Sequence, residues 1–297
     1  MRGLLRRKGL DKRQQIWYHK SVTPFEFCLG RTVHSSEWGK ERNMEKNGVI
    51  AVCSPKGGVG RSFVSCFLAT ALARKGKRVL LVDLDPRIHT LDLLFGVEDR
   101  ILFGLSDLLS GKEAEKVLFP LNEEQGLYLC PCGALGALPE EEMLREALFR
   151  MISCCAPDLI ILDTPSSAAE RGYFEKISDL HLILSTTEPT ALLGAQRVSA
   201  ELSSEKEALL LLNGMAVWEP REEGSLRPYE MIDLVGRPLV GIVPAAPPLS
   251  RRLEEGRAAA YDEEKERPFD NIASRVLGEH PLLFEGMKDG KKWRRGL

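Results

Sequence analysis

The sequence predicts an α/β fold: a doubly wound, mostly parallel sheet of about seven strands with helices on both faces. Three observations carry that prediction. Apolar runs of strand length alternate with helical patterns downstream of Gly48. Most of those runs are continuous rather than alternating, as expected of strands covered on both faces. A glycine-rich loop joins the first run to the first helical pattern, which places a ligand at the carboxyl ends of the strands.

In chain order the strand candidates are Val49–Ser54, Arg78–Asp85, Leu127–Cys132, Asp158–Asp163, His181–Thr186, Leu209–Asn213 and Leu239–Pro244. The first helix candidate, Ser62–Lys75, sets Phe63, Val64, Phe67, Leu68, Ala71 and Leu72 at helical spacing. Another, Glu140–Cys154, follows Pro139 and carries acids in its first turn, where the helix dipole favours them. No internal repeat is present. The basic, aperiodic segment Met1–Asn47 reads as a disordered arm, a docking peptide, or sequence upstream of the true start. Gly39-Lys40-Glu41 can be encoded as a purine-rich ribosome-binding sequence, which on the last of these readings makes Met44 the expected start.

Composition narrows the class. The 297 residues are 43% hydrophobic and 28% charged, which suits one large α/β domain or two small ones. A formal net charge of −2 argues against nucleic-acid binding driven by overall charge, so specific nucleic-acid partners are not expected. No apolar stretch approaches the roughly 20 residues that span a bilayer, and the first residues lack a signal peptide's apolar core. The expected location is therefore the cytoplasm. Seven cysteines, an odd number with no CxxC pair, read mostly as small core residues rather than disulfides or metal ligands.

The segment SPKGGVGRS, Ser54–Ser62, lies between a strand and a helix, the context a phosphate-binding loop requires. Gly57, Gly58 and Gly60 let the backbone turn tightly and aim its N–H groups at phosphate oxygens. The following helix adds its positive N-terminal end, and Ser62 offers a hydroxyl to a magnesium ion. Arg78–Asp85 is an apolar strand ending in Asp83 and Asp85. Asp158–Asp163 is another, whose terminal carboxylate, Asp163, can hold magnesium through water.

The KGGVG run, with Lys56 at its front, resembles the deviant Walker A loop of the MinD/ParA family. VDLD resembles that family's VDxD segment, LIILDTP its Walker B strand, and TEPTA a run typical of the MinD and flagellar-number branch. The resemblance covers Gly48 to Gly278 and implies ATP and Mg2+ as cofactors. It implies that Lys56 reaches across a nucleotide-bound homodimer to the partner's phosphates and that Asp85 organises the attacking water. Ser62, Asp83 and Asp163 are then the metal residues. Lys56, Gly57, Gly58, Val59, Gly60, Arg61, Ser62, Phe63, Asn213 and Pro244 become the nucleotide residues, with Asn213 placed where the family reads adenine. Taken by itself, Asn213-Gly214 reads as a turn-forming pair as readily as a base contact.

Two departures stand out. Arg61 occupies the place of the usual lysine, and a planar fork is not a conservative exchange for a compact point charge. Ala245-Ala246 follow Pro244 where relatives often place an aspartate. The tail, residues 279–297, carries apolar Leu282, Leu283, Phe284, Met287 and Trp293 beside basic Lys291, Lys292, Arg294 and Arg295, a mixture that suits either an anionic membrane surface or a frayed basic end. The resulting expectation is a slow ATPase that switches by ATP-dependent dimerisation in division-site placement, flagellar number control or cargo partitioning, with a protein partner or activator. A non-hydrolysing, nucleotide-bound scaffold is the alternative that Arg61 raises. An iron–sulfur carrier of the related Mrp type is disfavoured, because no C-terminal CxxC pair is present.

Overall fold

The computed structural model describes residues 48–87, 90–166, 172–203, 206–216, 226–245 and 263–290. The segment Met1–Asn47, the expected start at Met44, the basic stretch after Ala245 and Trp293 lie outside them. Eight strands form the sheet: β1 Gly48–Cys53, β2 Val79–Asp83, β3 Phe119–Asn122, β4 Leu127–Cys130, β5 Leu159–Asp163, β6 Leu180–Ser185, β7 Glu207–Met215 and β8 Leu239–Pro244. Helices α1 Arg61–Arg74, α2 Leu91–Phe95, α3 Leu105–Leu109, α4 Ala114–Val117, α5 Glu141–Cys155, α6 Pro189–Glu201, α7 Pro228–Val235 and α8 Glu263–Val276 pack around it.

The strand order is β3-β4-β2-β5-β1-β6-β7-β8. All neighbours are parallel except the edge pair β3 and β4, so the sheet has one strand more than the apolar runs predict. The extra strand, FPLN, is four residues long, contains Pro120 and shifts register against β4. Proline removes a ladder donor and is tolerated at an edge, which is why the segment carries no central-strand pattern.

Burial on both faces follows from the strand alternation. Ile50 and Val52 point into one core with α1 and α8, whereas Val49, Ala51 and Cys53 point into the other with α5, α6 and α7. On the first face the rings of Phe67 and Phe269 stack at 5.2 Å between α1 and α8. Arg74 adds charge-assisted bonds to Glu266 at 2.8 Å and Asp270 at 2.7 Å. β8 reaches this face through Gly241, where even a methyl group would sit 2.4 Å from Cγ1 of Ile272.

The described cysteines are buried as core residues, apart from exposed Cys154. Part of the apolar tail is packed into the protein. Leu283 and Phe284 are buried in the α5–α7 core, and Met287 packs against it. These residues complete the interior instead of offering an apolar face.

Gly241→Ala should lower stability by about 1–3 kcal/mol through overpacking against α8. Chemical denaturation should show a smaller loss in an Ile272→Ala background, where Cγ1 is absent.

Candidate nucleotide-binding site

The site lies where β1, β5 and β2 end side by side. Parallel pairing sets Val52 against Asp163, and Asp163 against Asp83. The loop after β1 is anchored by Val59, which is 3% exposed, while Gly57 and Gly58 stand open to solvent with nothing within 4 Å of an added Cβ. Gly58 and Gly60 take φ values of 78° and 91°, in the left-handed region that glycine enters without a Cβ penalty. At Gly60 there is a second reason: an added Cβ would lie 2.4 Å from Nδ2 of Asn213.

Helix α1 then starts with no side-chain cap and no acid in its first turn. Its leading N–H groups, from Arg61, Ser62 and Phe63, are therefore left for an anion, which is the donor set a phosphate group fits. Phe63 offers the site only backbone, since its ring packs 4.6 Å from Phe67 and 5.7 Å from Phe269.

Behind the loop, Asp163 is 1% exposed and accepts a hydrogen bond from the hydroxyl of Ser65 at 3.0 Å, and the nearby Ser62 hydroxyl also favours its charged form. Burial dominates over these bonds and pushes its carboxyl up to about 6. Asp83, beside it on β2, is raised well above the usual range by burial and then by Asp163. Two such carboxylates next to a serine hydroxyl are chemically suited to a hard divalent cation. Among the described residues no group of three or more His, Cys, Asp or Glu could hold a metal on its own. A magnesium ion here would lean on Ser62, phosphate oxygens and water.

Asp85 lies at the rim, and two guanidinium groups approach it. Arg87 is bidentate to it, through Nε and Nη2, each at 3.2 Å, and also donates to Ser166 Oγ at 3.2 Å. Arg61 Nη2 is 3.8 Å away. The remaining donors of Arg61 go to backbone: Nε to Thr164 O at 2.8 Å, and Nη1 to Ser54 O at 2.9 Å and Lys56 O at 3.1 Å.

Lys56 points away from this cluster. Its ammonium donates to Glu188 and, at 3.2 Å, to Thr190 Oγ1, both at the start of α6. That helix presses on the loop: a Cβ on Gly194 would lie 2.7 Å from Cγ of Pro55. TEPTA, a run without evident chemistry in the sequence, thus supplies the groups that hold Lys56. Asn213 donates from Nδ2 to Val59 O at 2.8 Å, which places it against the loop. Pro244 ends β8, beyond β6 and β7 from the loop, and pairs with Met215. The structure therefore gathers the loop glycines, Val59, Arg61, Ser62, Asp83, Asp85, Asp163 and Asn213. It leaves Lys56 at the rim, turns the Phe63 ring away and sets Pro244 apart. Glu188, Thr190, Thr164, Ser65 and Arg87 are neighbours that the linear sequence does not announce.

Proteins that hold nucleotide phosphates on loop backbone use this arrangement, and the chain falls in the class of P-loop nucleotide-binding domains. Residues 50–259 match the family described as the CobQ/CobB/MinD/ParA nucleotide binding domain. The chain belongs to that family, within its MinD/ParA members. The septum site-determining protein MinD of Synechocystis sp. is 30% identical over 244 residues, 78% of this chain and 90% of that protein. Among solved structures, the MinD cell division protein of Aquifex aeolicus is 28% identical with a TM-score of 0.69, covering 80% of this chain and 99% of that one. The MinC:MinD complex of the same organism matches at 28% identity and a TM-score of 0.69, over 78% and 96%. Pyrococcus horikoshii MinD complexed with Mg-ADP, at 24% identity and a TM-score of 0.62 over 77% and 96%, shares the fold.

Two outcomes follow from the geometry. Asp163 ionises near 3.8 when unfolded and about 6 when folded, so the folded chain binds the extra proton. Its contribution to nucleotide-free stability is therefore present below about 4 and is lost as pH rises through about 6. Thermal melts across that range should show a falling component that Asp163→Asn removes. Separately, Glu188→Gln should increase labelling of the Lys56 amine by an acylating reagent, read by peptide mass spectrometry. Unchanged labelling would remove Glu188 as its holder.

Proposed function

We propose that the chain is an ATP-binding, ATP-hydrolysing dimerisation switch of the MinD/ParA type that acts in the spatial organisation of the bacterial cell. The observation that carries this reading is the convergence of Ser62 and Asp163 behind an open glycine loop, with Lys56 held outward at the rim. The outward lysine supports an assembly in which a second copy is completed across the interface. Likeness to Aquifex MinD, seen in a MinC:MinD complex, supports a protein partner for the assembled state.

Each residue has a task in this scheme. Backbone N–H groups from Gly57 to Phe63 hold phosphate oxygens, and Asn213 offers its remaining amide capacity to the base. Ser62 and Asp163 would hold magnesium, with Asp83 beside them. When bound, the magnesium-nucleotide supplies the phosphoanhydride and neutralises its charge. Asp85 organises the attacking water. Lys56 leaves Glu188 and Thr190 to reach the partner's phosphates. Turnover is slow and serves as a timer for the occupied surface. That surface serves division-site placement, flagellar number control or cargo partitioning. No helix of the described residues is long and apolar enough to cross a membrane. With Leu283 and Phe284 in the core, peripheral membrane contact rests on Trp293 and the basic residues around it.

The alternative, a nucleotide-bound scaffold without turnover, is favoured by one observation: Arg61 directs three N–H bonds to protein carbonyls. ATP turnover and light scattering, measured together with and without magnesium, separate the readings. The switch requires ATP-dependent dimers with slow turnover, a drop of about 100-fold or more in Asp85→Ala, and no dimer in Lys56→Ala. Arg61→Lys should raise turnover by about tenfold. Binding without turnover in wild type and Arg61→Lys alike, with candidate partners present, would establish the scaffold.

A further inference from the structure

Arg61 sits at the position most directly tied to phosphate chemistry, yet its side chain is only 9% exposed and faces protein. Three of its five N–H groups are engaged by backbone carbonyls on two separate loops. Ser54 and Lys56 belong to the glycine loop, and Thr164 to the segment after β5. Thr164 is itself fixed, because its hydroxyl donates to Val52 O at 2.8 Å. A closed circuit results, running from β1 through Thr164 and the guanidinium back to the start of the loop. A lysine, with all its donors on one nitrogen, cannot span acceptors arranged in this way.

Among the described residues, the other cations beside the loop are also committed. Arg87 is bidentate to Asp85, and Lys56 is bound by Glu188 and Thr190. Backbone N–H groups and the uncapped start of α1 remain for a diphosphate, whereas Lys56, Arg61 and Arg87 each already hold a protein partner.

We propose that Arg61 is a specificity-determining staple: it shapes the empty loop with its own carbonyls, so that a single copy holds nucleoside diphosphates and triphosphates with nearly equal strength. The third phosphate is then distinguished only in the assembled pair. The proposal rests on the nucleotide-binding reading above and adds to it which phosphate the monomer recognises. It also assigns the guanidinium a role before any nucleotide arrives.

The test uses the full chain with magnesium, at concentrations where light scattering shows a monomer. Calorimetric titration with ADP and with a non-hydrolysable ATP analogue should give wild-type dissociation constants within about threefold of each other. Arg61→Lys should favour the triphosphate by about tenfold or more. In the nucleotide-free chain, Arg61→Lys should melt earlier and exchange amide hydrogens faster across residues 55–60. Arg61→Met should do so more strongly if it folds.

A wild-type preference for the triphosphate of about tenfold, lost in Arg61→Lys, would overturn the proposal while leaving nucleotide binding intact. Unchanged loop exchange in Arg61→Lys would overturn the staple. Binding of neither nucleotide would overturn this proposal together with the nucleotide-binding reading itself.

Discussion

Parallel pairing of β1, β5 and β2 in one register is the constraint on which the site depends. It brings Val52, Asp163 and Asp83 to the same level, so the glycine loop, the hydroxyl of Ser62 and two carboxylates share one edge of the sheet. A slip of one residue would turn each of these side chains to the opposite face. Burial from both sides resists that slip. The alternate residues of β1 fill two different apolar cores, so a slip would exchange the side chains around which each core is packed. The apolar interior thus sets the geometry of the polar edge.

At that edge the electrostatics favour the binding of a cation. Asp83 and Asp163 are both pushed toward protonation, and Asp85 is flanked by Arg61 and Arg87. Burial of paired carboxylates is costly without a cation. The site therefore has an intrinsic use for a divalent ion close to Ser62. It also carries its own cation, Arg61, whose partners are protein groups. The first feature favours a loaded site, whereas the second keeps the unloaded site in shape.

Much of this was legible in the linear sequence, because the informative residues come in contiguous strings. Continuous apolar runs mark parallel strands, and SPKGGVGRS, VDLD and LIILDTP each place their polar residues at a strand end. What stayed hidden depends on distant pairing. Glu188 meets Lys56 across 132 positions, and Arg61 meets Thr164 across 103. No local pattern encodes such meetings. β3 escaped because a short edge strand containing proline lacks periodicity. The tail stayed open between two readings for another reason: composition alone does not distinguish Leu283 and Phe284 as core residues from the same residues facing lipid.

The close approach of Gly194 to Pro55 has a mechanical consequence. Because α6 touches the loop there and grips Lys56 at its first turn, loop and helix are geared together. The helix is 13 residues long and presents exposed Leu193. The phosphate-sized loop and a patch of the molecular surface are therefore joined by one short run of direct contacts.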